Sequence, residues 1–190
     1  MKKNEKKQSG LSAGWLCVLL VLSVACAAWP FFTMRGLDEA LMEPEPHYGI
    51  VAFELAYTPE KAGEIVRVWG DDLVPLAKKS LIVDYPFMPA YALLFFALTR
   101  LFALIAGGRM GVWTRRAALF PLAAAIFDAV ENVGLLSVVA SPDAIPAWAP
   151  VVAGIAATIK FSLLLLAMLT WPAAVLARLV AGKKPEPQTS

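Results

Sequence analysis

Asp128, Glu131 and Asn132 interrupt an apolar run, Ala-Ala-Leu-Phe-Pro-Leu-Ala-Ala-Ala-Ile-Phe, that otherwise suits a membrane interior. Positions i, i+3 and i+4 put the two carboxyls and the amide on one helical face. Such groups can hold a polar head, or exchange protons as general acid and base when their pKa values are set apart. An ionised side chain at the centre of a bilayer costs about 2.5–3.5 kcal/mol on insertion scales, so these residues must face protein or water. Lys160, half-way along the next apolar run, is the candidate counter-charge. Asp84 and Tyr91, seven residues apart, share a face of an earlier run and could join the same pocket.

The elements that must position these residues follow from composition. The chain has 190 residues, 59% of them hydrophobic and 17% charged, with a mean hydropathy of +0.65. That is too apolar for an ordinary soluble domain and long enough for about four spans of ~20 residues. The expected fold is all-α: an antiparallel four-helix transmembrane bundle with spans near 11–33, 81–105, 116–140 and 148–176. Residues 1–10 form a basic tail, 11–180 a single membrane domain, and 181–190 a disordered tail. An Ala25-Cys26-Ala27 cleavage pattern follows the basic start, but the apolar run continues through Trp29-Pro30-Phe31-Phe32, which favours an uncleaved span.

Basic residues concentrate at Lys2, Lys3, Lys6 and Lys7, at Arg100, Arg109, Arg115 and Arg116, and at Arg178, Lys183 and Lys184. The positive-inside rule then puts both termini and the 105–116 loop in the cytoplasm. No basic groove or stripe indicates nucleic acid. With two cysteines nine positions apart in one apolar run and a lone histidine, His47, no metal site is expected, and no cofactor motif is present. His47 reads as a surface residue.

Residues 35–80 form the outer loop and carry the acidic bias. Glu43-Pro44-Glu45-Pro46 should be extended. Thr58-Pro59-Glu60 reads as a cap and first turn of an amphipathic extracytoplasmic helix ending at Gly70, with Ala62, Ile65, Val66 and Trp69 on one face. Asp71 or Asp72, with Pro75, reads as the cap of another short helix. The acids of this segment read as solvated. Pro86 and Pro89 can tighten, kink or restart the second span. Ala149, Ala153 and Ala157 form a small-residue stripe on which a second copy or a membrane partner could pack.

Phe53-Glu54-Leu55-Ala56, Asp84-Tyr85-Pro86-Phe87 and Asp128-Ala129-Val130-Glu131-Asn132, in that order, resemble a group of small bacterial four-span membrane proteins of uncharacterised activity. The resemblance covers about residues 50–170. It implies a shared four-helix architecture and no particular reaction.

The functional expectation is binding of a lipid-like or amphiphilic molecule in an outer-half pocket. Asp84, Asp128, Glu131 and Asn132 would engage its head, Tyr91 would stand at the wall, and Lys160 would balance the charge. A membrane-embedded acid/base enzyme acting on a lipid or isoprenoid-type substrate is the alternative, and a structural accessory subunit is another. The nearly uniform apolarity of the inner halves of the spans argues against a proton or ion path.

Overall fold

A computed structural model describes residues 11–182; the basic tail 1–10 and residues 183–190 of the other tail lie outside the described residues. The elements are α1 (Ala13–Leu41), α2 (Ile50–Glu54), α3 (Pro59–Ala106), α4 (Gly108–Ala117), α5 (Phe120–Ala140) and α6 (Trp148–Ala181). Among the described residues there is no strand. Four helical stretches, Ala13–Leu41, Pro59–Ala106, Gly108–Ala140 and Trp148–Ala181, are long and apolar enough to cross a membrane, and the chain is a membrane protein.

The helix boundaries depart from the sequence reading at several points. α1 starts on Ser12, whose hydroxyl accepts the Trp15 N–H, and continues past residue 33 to Leu41. Arg35 and Glu39 pair one turn apart at 3.1 Å, and Leu41 is fully buried, so residues 35–41 belong to the helix and not to the loop. Glu43-Pro44-Glu45-Pro46 bends instead of running extended, with a cis Glu45–Pro46 bond.

The Thr58 cap is as expected: its hydroxyl accepts the Lys61 N–H at 3.2 Å, with Pro59 in the first turn. The helix breaks at Gly70, whose φ of 60° lies in the left-handed region that favours glycine. Helix resumes at once and runs unbroken to Ala106, so no separate short helix follows Asp71 or Asp72. Pro75, Pro86 and Pro89 all lie inside it with helical backbone angles. Residues 108–117, expected in an inner loop, form α4. The following span starts at Phe120, not at residue 116, with Pro121 in its first turn. α6 extends to Ala181.

Ala62, Ile65, Val66 and Trp69 are all buried, in one cluster with Phe53, Leu135, Val138, Ala149 and Ala153. The first part of α3 thus covers the meeting ends of α5 and α6. The Phe53 and Trp69 rings meet edge to face at 5.0 Å, and Trp69 donates its indole N–H to the Tyr48 carbonyl at 2.8 Å.

α5 and α6 approach closely. A Cβ on Gly134 would come within 2.7 Å of the Ala149 carbonyl oxygen, so only glycine permits this approach. Ala149, Ala153 and Ala157 are each 0% exposed. The small-residue stripe is therefore filled inside the chain, and the expected use of that face by a second copy or membrane partner is corrected. α3 packs on both α5 and α6, whereas α1 lies against α3 and makes no more than marginal contact with α5 and α6. That asymmetry leaves a gap beside α1, where the site lies.

Candidate functional site

Lys160 is the centre of the polar cluster. Its ammonium lies 3.0 Å from Asp128 Oδ1, 2.9 and 2.8 Å from the two Glu131 oxygens, and 3.5 Å from Glu54 Oε2. An ammonium has three N–H groups, and here one goes to each of three carboxylates. The expected pairing of Asp128 with Lys160 is present, with Lys160 only 6% exposed and Asp128 3%. Its register follows from the packing of α5 on α6: Gly134 against Ala149 and Ala153 brings Asp128, nearly two turns back, level with Lys160.

The remaining polar groups close a network around this cluster. Tyr91 donates its hydroxyl to Asp128 Oδ2 at 2.8 Å. Asn132 donates its amide to Asp84 Oδ2 at 2.8 Å and to the Leu81 carbonyl at 3.2 Å. Both partners are acceptors, which fixes the orientation of the amide. Asp84, Tyr91, Asp128, Asn132 and Lys160 all line one cavity of about 510 Å³. Phe31 and Met34 of α1, Val51 of α2, Phe87 and Phe95 of α3, and Phe161 and Leu164 of α6 form its apolar walls. Phe31 of α1, Val51 of α2 and Phe161 of α6 line the cavity and are themselves exposed, so the cavity reaches the surface on the side of these helices.

Glu131 departs from the sequence reading. It is 0% exposed and is not a lining residue: it sits behind Lys160 and holds the ammonium from the far side. Its Oε2 lies 2.8 Å from that ammonium but off the hydrogen-bonding angle, and accepts no hydrogen bond. Glu131 is therefore placed to hold Lys160, whereas Glu54 reaches the cavity itself.

Glu54 falls among the outer-segment acids expected to be solvated, and the structure corrects this: its side chain is only 13% exposed and faces Lys160. α2 delivers it. The Ile50 N–H donates to Asp38 Oδ1 at 2.6 Å, tying α2 to the end of α1. Gly49 allows this approach, since a Cβ there would fall 2.7 Å from the same oxygen. Burial lifts the Glu54 carboxyl above its ordinary value, an effect that the nearby Lys160 ammonium opposes without overcoming. The sequence signal was an acid flanked by Ile50, Val51, Ala52, Phe53 and Leu55, an apolar setting that a solvated loop does not need.

The arrangement can bind hydrogen-bonding groups and can exchange protons. Ser80 lines the cavity, but no histidine or cysteine does. His47 is exposed and lies 2.7 Å from the Met42 carbonyl, as suits a surface residue. Among the described residues, no three His, Cys, Asp or Glu side chains are arranged to hold a metal ion. No family model, curated protein or solved structure matches this chain.

Proposed function

We propose that the chain is an antiparallel four-helix bundle of the bacterial inner membrane that binds an amphiphile in its cavity. Glu54, Asp84, Asp128 and Asn132 meet the polar head, Tyr91 and Lys160 hold Asp128 in place, and the tail leaves past Phe31, Val51 and Phe161 toward the lipid. Basic residues at the helix ends put both termini in the cytoplasm and the amphipathic first part of α3 on the outer side. The observation that carries the reading is the cavity itself. At about 510 Å³ it falls within the range of small-molecule sites, and it joins apolar walls to convergent polar groups at one end.

The test is native mass spectrometry of the protein purified in a mild neutral detergent. Wild type should retain a bound amphiphile, and Val51→Trp, which fills the mouth, should lose it while unfolding at an unchanged temperature. Equal retention by both proteins would overturn the reading.

A second reading, acid/base chemistry on a membrane-embedded substrate, has one observation in its favour. Asp84, held by Asn132, and Asp128, held by Lys160 and Tyr91, share one cavity in different surroundings, as an acid and a base require. Turnover of a defined lipid by wild type and not by Asp84→Asn would establish it.

A further inference from the structure

The buried donors at the polar end of the cavity are mostly engaged within the protein, whereas acceptors there are left over. All three Lys160 N–H groups go to protein carboxylates. The Tyr91 hydroxyl goes to Asp128, and both N–H groups of the Asn132 amide go to Asp84 and Leu81. On the acceptor side, Asp84 Oδ1 and Asn132 Oδ1 take no hydrogen bond from any described residue. Two groups of the lining can still donate. Ser80 carries a hydroxyl that gives or accepts equally well, and Arg35 stands at the rim, largely exposed and paired with Glu39 at 3.1 Å.

Charge points the same way. Asp38, Glu54, Asp84 and Asp128 line the cavity against Arg35 and Lys160, and Glu131 adds a further carboxyl behind Lys160. A phosphate or carboxylate head entering here would meet oxygens of its own sign and find no free buried cation. A protonated amine would find Asp84 Oδ1 unengaged, with the Glu54 and Asp128 carboxylates bordering the same space. Its bonds would be charge-assisted, the stronger class.

Resting on the amphiphile-binding reading, we infer that the head group this cavity takes is cationic, an amine or ammonium carried on an apolar chain. The scant packing of α1 on α6 gives such a molecule a sideways path from the bilayer, with the head reaching Asp84 and the chain left between Phe31 and Phe161.

Three probes of one chain length separate this inference from the reading beneath it: dodecylammonium, dodecanol and dodecanoate. Each is added at matched mole fraction to the full chain in neutral detergent at pH 7, and retention is read by native mass spectrometry. Dodecylammonium should bind at least about tenfold tighter than dodecanoate, the scale of one charge-assisted hydrogen bond. Asp84→Asn should erase most of that preference while dodecanol binding persists, which shows that the variant keeps its fold and cavity. Dodecanoate binding as tightly as dodecylammonium, and blocked by Val51→Trp, would overturn the cationic assignment and leave the amphiphile site standing, with protonated carboxyls acting as donors. If none of the three probes is retained, or Val51→Trp changes none, both fall.

Discussion

Lys160 and Glu54 stand 106 positions apart in the chain, and their ammonium and carboxylate meet at 3.5 Å across the polar end of the cavity. One lies near the middle of α6, and the other ends a five-residue helix that is no part of a span. Burial keeps the Glu54 carboxyl above its ordinary value of 4.5. The folded protein therefore holds a proton there at pH values where the unfolded chain has released it. Stability from this group is complete below the ordinary value and is lost as pH rises through the folded one. Glu54→Gln is neutral throughout and should remove that part of the loss. Thermal unfolding in detergent, followed from about pH 4 upward, should show wild type losing stability relative to the variant. Parallel profiles would contradict the assignment.

Lys160 neutralises several carboxylates at once, so its loss should be costly. Lys160→Met leaves Asp128, Glu131 and Glu54 facing one another without a cation, and removal of one partner from a buried ion pair costs about 3–5 kcal/mol. Adding Asp128→Asn and Glu131→Gln to the same protein should restore much of this, because the uncompensated charges go with them. Chemical unfolding of the single and triple variants checks it. A triple variant less stable than Lys160→Met would mean that the carboxylates stabilise the fold by some route other than Lys160.

Much of this site was legible in the sequence, for a physical reason. An ionisable residue inside an apolar run must find a partner, so Asp84, Asp128, Asn132 and Lys160 announced themselves by being out of place. Counting residues along each span brings Asp128 level with Lys160 and puts Asp84 nearer the outer end of its own span. Glu54 was missed because its neighbourhood is polar over tens of residues and apolar only over five, and a window suited to spans averages that away. The Gly70 break was read correctly as a helix end, but not the immediate restart that makes 71–106 one helix. A positive φ at a single glycine redirects a helix without a loop, and composition alone does not distinguish the two. The alanine stripe was identified correctly as a close-packing face. Which helix fills it is a tertiary matter, and here it is α5 of the same chain.

Gly134 and Gly36 should respond to alanine in opposite directions. A Cβ on Gly134 would fall 2.7 Å from the Ala149 carbonyl oxygen and 3.1 Å from the Ala153 Cβ, so Gly134→Ala must push α5 and α6 apart. Overpacking of this kind costs about 1–3 kcal/mol, and the shift should also loosen the Asp128 to Lys160 contact. Gly36, inside α1, has nothing within 4 Å of its Cβ position, and Gly36→Ala should stabilise by about 0.5–1 kcal/mol through helix propensity alone. Unfolding midpoints that move the same way for both would refute the packing account.

Tyr57 gives a handle on α2 that leaves every polar residue of the site untouched. Its ring lies on Gly154 of α6, where a Cβ would come within 2.6 Å of the ring, and its hydroxyl bonds Thr158. Tyr57 holds a φ of 58°, an unfavourable region for a residue with a side chain, so these contacts keep the turn between α2 and α3 in place. Gly154→Ala must displace the ring and, with it, the turn that ends α2 beside Glu54. The variant should therefore lose affinity for a cavity-bound amphiphile about as Glu54→Gln does, although residue 154 lines no part of the cavity. Gly154→Ala combined with Tyr57→Ala removes the clash and should recover part of that affinity. Amphiphile retention in the three proteins measures it, and full retention by Gly154→Ala would show that the position of α2 does not depend on this contact.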